Sequence, residues 1–520
     1  PDHTFPYNKK KRRREDLVRR LLLFAGLVAA SLALTAAADL IHIPMKTFTL
    51  ENGLEVILVP RHETPIIHSL IRYKVGSGNE TNGITGISHV LEHMMFKGTK
   101  EIQTMNYELE LPLMEKQDEL FHEVLRLRRL KVLGRAPSDV DDRIEVLLLK
   151  IKGLSASQKL VTIQNDLDVA TFQVGFARLG ADTSFDRTHY MEYFPSNCLE
   201  AWAYFESARM REPFFREFHS ERDVVLEERR QTTETQPEAV LFENFLAAAY
   251  MAHPYQWDVI GWRADLENLT RQDIVDYHRL YYAPNNAILV LVGDFQPDQA
   301  ESLIRRYFGK IPRQDITKPV TLTAEPVQLG ERRLTIAQDA APRLMVGFHR
   351  CAVTHPDYPV FEMMDTLLSQ GRTSVFYKEL IRTGLAADIR TGVWEMKRHP
   401  GLFTVTAVAG DGVGLQRLET AILDQLNRLK DQPVSRRELE EARSFLTGRL
   451  LRQLRDGETL AAALAEGQDF FNDPSAYNLY LSRLQSIDAG DIQRVAREWF
   501  TPTNRTVAWS VPSADERSTK

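Results

Sequence analysis

Two histidines and a glutamate fall within five residues at His89-Val90-Leu91-Glu92-His93, inside ITGISHVLEHMMFKGT. On a helix, positions four apart lie on one face, about one turn from each other. Two imidazoles so arranged can grip one Zn²⁺ and leave room for water. Glu92 lies beside them and can take a proton from that water. The flanking Val90, Leu91, Met94, Met95 and Phe96 are apolar and predict that most of this helix is buried. A buried His-Glu-His group needs a partner, and a metal ion supplies one. The competing reading is a solvated helix with two incidental histidines, and the apolar flanks argue against it. Catalytic zinc usually has three protein ligands plus water, so one more ligand must come from elsewhere. The segment ERDVVLEERR offers Glu221 and Glu228, seven residues apart, hence two turns apart on one face. By periodicity alone these are solvated glutamates of a surface helix.

The elements around these residues follow from apolar periodicity. Alternation around Asn52-Gly53 predicts a β-hairpin followed by a third strand. Gly76, Gly78 and Gly83 loosen the chain before Gly86 opens the His-Glu-His helix. Residues 177–194 alternate as a strand pair, CLEAWAYFESARM and SERDVVLEERRQ read as helices, and residues 287–295 read as a buried strand followed by a helix. The proline-containing stretch 314–333 has little helical periodicity and reads as a linker. Beyond it come strands, a helix over HPDYPVFEMMDTLLSQG, the strand GLFTVTAVAG, helices over 415–429, 435–455 and 489–500, and a closing strand over 505–512. The two halves share an order, which suggests duplication of one α+β unit. The expected fold is therefore α+β: two homologous sandwich-like halves, each with a mostly antiparallel sheet and packed helices. The second half carries no His-x-x-Glu-His, so only one site of this kind is expected. From about 105 to 170 the chain turns charged, Leu-rich and helix-periodic, and Pro137 interrupts it, which predicts an inserted helical hairpin. It reads as a solvated elaboration, the alternative being a lid or docking arm.

At 520 residues the chain exceeds one ordinary core. Its 43% hydrophobic and 26% charged residues are a normal globular mixture. The N-terminus departs from it: a basic run from Lys9 to Arg14, then apolar or small residues from Leu21 to Ala37, then Ala38 before Asp39. That order is the one found in secretory signals, which predicts removal of residues 1–38 and a periplasmic or secreted location. An uncleaved membrane anchor is the alternative, disfavoured by an apolar run shorter than a span of roughly 20 residues. Removal would take eight Lys/Arg and three Asp/Glu and shift the net charge from −6 to −11, a mildly acidic value that suggests no nucleic-acid partner. The two cysteines, Cys198 and Cys351, cannot form a Cys-rich zinc site and read as isolated buried thiols.

HVLEHMMFKGT followed downstream by ERDVVLEE resembles the pitrilysin–insulinase family of zinc metallopeptidases. GITGISHVLEHMMFKGT, TSFDRTHY, FESARM, SERDVVLEERR, HPYQWDVIG and YYAPNNAILVLVGDF resemble family segments in the family order, over most of residues 45–310 and more loosely 330–510. The resemblance implies one Zn²⁺ per chain, with His89, His93 and Glu228 as ligands. It makes Glu92 the general base acting on zinc-bound water, and Glu221 a supporting carboxylate that orients an imidazole. It favours Glu228 over Glu227 because the family pairs glutamates at seven-residue spacing, and Glu227 would point roughly 100° away around the helix. It also implies an edge strand, through Ala181, Thr183 and Ser184, that holds an extended peptide by main-chain hydrogen bonds.

The implied function is a zinc endopeptidase acting on peptides or unfolded polypeptide segments. The implied domains are 39–313 for the metallopeptidase half and 334–520 for the half without a metal motif. Several positions depart from the family pattern. His89 and Glu228 stand 139 residues apart, a long spacing that the inserted hairpin accounts for. Gly180 stands where the family has Asn, and Leu380 and Ala387 stand where active relatives carry an Arg and a Tyr that assist substrate binding. These departures favour, as the alternative, a scaffold subunit or a chain completed by a partner, in a homodimer or with a homologous chain.

Overall fold

The computed structural model describes residues 41–163, 166–315, 323–395 and 397–513. The leader read in residues 1–38 lies outside the described residues, as does the middle of the linker. The first half runs β1 (Lys46–Thr49), β2 (Glu55–Pro60), β3 (Ile66–Tyr73), α1 (Ile87–Met94), α2 (Tyr107–Val132), α3 (Val140–Gln158), α4 (Asp166–Gln173), β4 (Arg178–Thr183) and β5 (Thr188–Pro195). It continues with α5 (Leu199–Arg211), α6 (Phe218–Arg229), α7 (Pro237–Ala249), α8 (Arg263–Asn268), α9 (Arg271–Tyr281), β6 (Ala287–Gly293) and α10 (Pro297–Tyr307). The second half runs β7 (Arg332–Gln338), β8 (Arg343–His349), α11 (Tyr358–Ser369), β9 (Ala386–Val393), β10 (Leu402–Ala409) and α12 (Leu415–Asp431). It closes with α13 (Arg436–Arg455), α14 (Gly457–Phe471), α15 (Ala476–Ser486), α16 (Ala489–Trp499) and β11 (Arg505–Pro512).

The duplication is visible in strand order. The first sheet is β1-β2-β6-β3-β5-β4 and the second β7-β11-β8-β10-β9. Without β1 the two orders superimpose. In each, the last strand inserts between the first two, parallel to one and antiparallel to the other. Two more antiparallel strands follow, so β4 and β9 are equivalent edges. The architecture is α+β with two homologous halves, as the shared order of elements predicts.

Each half lends a helix to the other. α14 of the second half, with Leu460, Leu464 and Ala465, covers the face of the first sheet that presents Ile57, Leu70 and Val290. In return α7 of the first half buries Leu241, Phe245 and Leu246 against Met345, Leu402 and Ala508 of the second sheet. This explains why β6 is buried along its whole length and reads as a continuous apolar run. A β carbon on Gly347 would lie 2.4 Å from the Phe245 ring, so the sheet needs glycine where the foreign helix approaches. Fully buried Arg72 pairs with Asp469 of α14 at 2.8 Å and ties the halves electrostatically as well.

The inserted hairpin exists as α2 and α3, packed through Phe121, Val124 and Ile151. It leaves and returns at one place. Met105 N–H donates to the Val161 carbonyl at 2.9 Å and Ile163 N–H to Gln103 at 3.2 Å. At its root, buried Arg216 pairs with Glu110 at 2.9 Å. The long interval between His89 and Glu228 is thus a closed excursion that does not separate them in space.

Because each core contains a helix of the other half, Phe245→Ala is expected to lower global stability by about 3–5 kcal/mol. The first-half and second-half tryptophans should then lose their signals together in one denaturant transition. Separate transitions for the two halves would show that the exchanged helices do not couple them.

Candidate metal centre and active site

Helix α1 has only eight residues, too few to hold functional groups in a fixed pose unaided. Its start is fastened by the loops around it. The buried Glu80 carboxylate accepts from Gly86 N–H at 2.8 Å, Ser88 N–H at 2.9 Å and the Trp257 indole at 3.2 Å. Burial pushes Glu80 up to about 7, against these donors. Asp265 accepts from Gly83 and Thr85 N–H and from the Thr85 hydroxyl, at 3.0, 3.1 and 2.7 Å. Gly86 (φ +84°) and Gly261 (φ +74°) meet back to back; a β carbon on Gly261 would sit 2.3 Å from the Gly86 nitrogen. Both positions therefore require glycine. Val90, Leu91 and Met94 are fully buried beneath.

Opposite α1 runs α6, anchored by buried Phe218 and Val225. His89 Nε2 lies 3.8 Å and His93 Nε2 3.6 Å from Glu228 Oε2. One ligand atom each from His89, His93 and Glu228 falls within 4.8 Å of the others. These separations exceed a hydrogen bond. They are close to the edge of a tetrahedron around zinc, about 3.4 Å for bonds of ~2.1 Å. The two rings stand edge to face at 87°, so neither imidazole stacks on the other. Two neutral-nitrogen donors and one carboxylate are a donor set that fits zinc, and the three residues converge as a metal site requires.

Burial and mutual contact set the charges in the cluster. Burial, with His93 nearby, lowers His89 to about 4 and keeps it neutral. His93 resists its own burial: Glu221 and Glu228 raise it to about 9. Glu228 is held below the ordinary carboxylate range by His93, against its partial burial. Glu221 is half-buried, which would raise it, yet His93 and the Lys97 ammonium hold it low too. Its Oε2 is 3.7 Å from His93 Nδ1, and its Oε1 is 2.6 Å from Lys97 Nζ. Glu221 thus braces the ring of His93 and not that of His89, whose Nδ1 is buried without a partner.

Glu92 shares the cleft. Burial raises its carboxyl, opposed by the Thr183 hydroxyl, which donates to Glu92 Oε2 at 2.5 Å. Thr183 ends the edge strand β4, which among the described residues pairs only with β5. Its side chain therefore serves Glu92, in addition to any main-chain role. Ala181 lies mid-strand and partly exposed. Ser184 falls just past β4. Its N–H already donates to Arg187 at 2.8 Å and its carbonyl accepts from Ser77 at 3.1 Å, so it has no free N–H to offer a peptide. At Gly180 a β carbon would have no contact nearer than 3.6 Å, so the missing side chain reflects no crowding.

Glu227 points away from the cluster and pairs with Arg230 at 2.7 Å. Leu380 is packed in the second core, and Ala387 is exposed on β9, the counterpart of β4. Cys198 and Cys351 are both free and buried. Sequence reasoning assigned no role to Lys97, although it stands four residues after His93 on the same face. It also passed over Glu80, whose loop carries no periodic signal.

Duplicated sheet-and-helix halves bearing one His-x-x-Glu-His helix opposite a glutamate helix define a class of two-domain peptidases. Residues 56–118 match the family model described as Insulinase (Peptidase family M16), and residues 268–446 match that described as Peptidase M16 inactive domain. The zinc protease PqqE of Helicobacter pylori is 27% identical over 95% of this chain and 99% of its own. A probable mitochondrial-processing peptidase subunit beta of Arabidopsis thaliana is 20% identical over 96% of this chain and 85% of its own. A crystal structure of a protease from Helicobacter pylori superimposes with a TM-score of 0.75, at 26% identity, covering 91% of this chain and 100% of that one. The periplasmic protease PqqL of Escherichia coli shares the fold, with a TM-score of 0.64 at 16% identity over 90% of this chain and 48% of its own. The chain belongs to the pitrilysin/insulinase-type peptidase family.

The charge state of the cluster sets a pH dependence. His93 is raised to about 9, so it is protonated at pH 7.5, whereas a metal ligand must be neutral. Zinc binding should then release about one proton per chain at that pH, and apparent affinity should climb about tenfold per pH unit up to about 9. Calorimetry in buffers of different ionisation enthalpy measures this. Release of no proton would mean that His93 is not displaced from its carboxylates. In parallel, Glu228→Gln should lower zinc content far more than Glu227→Gln, and the opposite order would move the third ligand to Glu227.

Proposed function

We propose that this chain is a zinc-dependent endopeptidase that hydrolyses peptides or unfolded polypeptide segments. One observation carries the reading: His89, His93 and Glu228 converge at coordination spacing beside a buried Glu92 and an edge strand. His89, His93 and Glu228 would hold one zinc, with Glu221 orienting His93. Bound there, zinc would lower the pKa of a coordinated water toward about 7 and polarise the scissile carbonyl. The rest falls to the chain's own groups. β4 can take an extended substrate as an added strand, which selects unfolded segments because folded ones have no free backbone edge. Thr183 fixes Glu92 by its Oε2 and leaves Oε1 to accept the proton from water. Burial, which raises this carboxyl, suits it to pass the proton on to the leaving amine.

The proposed domains are a metallopeptidase half over 39–313 with its insertion at about 105–170, a linker over 314–333, and a homologous half over 334–520. A leader over 1–38 together with the likeness to a periplasmic protease supports a periplasmic or secreted location, with anchorage through an uncleaved leader as the alternative. None of the described helices is long and apolar enough to cross a membrane. A second reading, a partner-dependent or scaffold subunit, is favoured by Leu380 and Ala387 and by a relative named as a subunit. The partner would be a second copy of this chain or a homologous chain.

Purified chain is expected to bind one zinc and to cleave unfolded casein. Glu92→Gln should retain the zinc and lose about 10²–10⁴-fold in kcat. Equal cleavage by the two proteins would remove Glu92 from the chemistry. Zinc binding without cleavage, rescued by an added homologous chain, would favour the partner-dependent reading.

A further inference from the structure

Between the inserted hairpin and α6 lies a groove of about 850 Å³ that the chemistry above leaves unused. Its floor holds two polar side chains more than nine-tenths buried and short of partners. Arg222 is 6% exposed, and its Nε and Nη1 have no acceptor. Its one ion pair is with Asp223, at 3.6 Å. His219 is 5% exposed, and neither ring nitrogen has a partner. Phe121 of the hairpin lies 4.6 Å from the Arg222 guanidinium and 5.1 Å from the His219 ring. The aromatic face satisfies the cation electrostatically but accepts none of the in-plane N–H groups. Buried N–H donors left over in this way are costly unless something fills them.

The groove continues along α6 into an open depression. Ser220, Asp223 and Val224 line both, and Glu227, Glu228 and Gln231 line the depression, so the two meet at the helix that carries Glu228. We propose that this groove is a subsite for a carboxylate carried by the polypeptide substrate, a Glu or Asp side chain or the C-terminus, received by the Arg222 guanidinium with His219 beside it. The inference rests on the peptidase reading and adds a substrate preference to it. A guanidinium fork suits a carboxylate. A doubly charged phosphate suits the groove less, because its walls also carry four acidic groups that balance its four basic ones. Apolar Leu148, Leu149 and Val224 on the same walls suit the side chains that flank such a residue in a peptide.

The test uses full-length protein and unstructured peptides that carry one Glu, walked along the sequence, each beside its Gln counterpart. At one distance from the scissile bond, the Glu peptide should show a KM about tenfold lower than the Gln peptide. Arg222→Gln should abolish that ratio, and Leu149→Asp, on the exposed wall, should reverse it even if Arg222→Gln fails to fold. Absence of any Glu/Gln ratio in wild type, or its persistence in both variants, would overturn the subsite. Binding of the same peptides to the Glu92→Gln protein, followed by fluorescence anisotropy and by the His219 ring resonances, separates this from a failure of the peptidase reading. A subsite without proteolysis still discriminates Glu from Gln there. Displacement of the Glu peptide by inorganic phosphate, and not by acetate, would overturn the carboxylate assignment.

Discussion

An eight-residue helix cannot by itself hold two imidazoles and a carboxylate in a water-poor cleft. Everything at this site depends on how α1 is held. Its first turn hangs from Glu80, which fills two backbone donors that a helix start leaves open, and the loop that leads into it hangs from Asp265. Negative charge at that end also suits the helix dipole. Backbone packs directly on backbone where Gly86 meets Gly261, so the helix cannot slide along its axis. Across the cleft α6 is fixed at both ends. Lys97 beyond α1 pairs with Glu217 and Glu221, and buried Arg229 pairs with Glu243 of α7 at 2.8 Å and donates to the Gly261 carbonyl at 2.5 Å. The segment around Gly261 thus touches both helices that carry the His89, His93 and Glu228 cluster, which sets the distance between them.

That distance explains the electrostatics. Glu221, Glu228 and Glu92 surround His93, and one proton on its ring offsets only part of their charge. Burial of so many acceptors around one ring is costly. On the proposed function a divalent ion would replace that proton and satisfy both imidazoles together. The polar cluster is a poor structural device, which supports the proposal that it is a ligand set. It would be easier to replace by apolar packing if stability were all it served.

The sequence made some of this legible and not the rest, for physical reasons. His89, Glu92 and His93 share one helical turn, so local spacing alone brings them together. Glu228 was reached through the family resemblance, since periodicity alone reads it as a solvated glutamate, and the pairing of its helix with α1 is a tertiary fact. The same holds for Thr183, whose hydroxyl reaches Glu92 across 91 positions of chain. Strand alternation predicted β4, β5 and the duplication. It gave no sign of β9, which mixes exposed and buried residues without a period, being an edge. The Ala-rich run of α14 was passed over, because the apolar face it needs lies on the other half's sheet. Helix exchange between homologous halves leaves no trace in the periodicity of either partner. It appears only as glycine where the foreign helix comes close, as at Gly347.

The exchange also gives the half without a metal motif a grip on the chemistry. Its residues Glu395, Lys397 and Arg398 sit on the β4–β5 turn. Asp186 in that turn accepts from the backbone N–H of Lys397 and Arg398, each at 2.9 Å, and from the Tyr255 hydroxyl at 2.7 Å. Arg187 bonds Glu395 at 2.9 Å and also bonds Asp182. Burial would push the Asp182 carboxyl up, yet His189 and Arg187 hold it well below the usual carboxylate range, so it stays an anion. Asp182 precedes Thr183 on the strand and faces the other way, as alternate strand residues must. One side of β4 is thus clamped to the second half while the other side meets Glu92. Lys397 and Arg398 are in turn paired with Glu466 and Asp469 on α14, the helix that covers the first sheet. A half without a His-x-x-Glu-His motif still fixes the edge strand and, through one hydroxyl, the Glu92 carboxylate of its twin. Such a role constrains the shape of the second half and leaves its chemistry free to vary, which is how Leu380 and Ala387 can stand there without disturbing the fold.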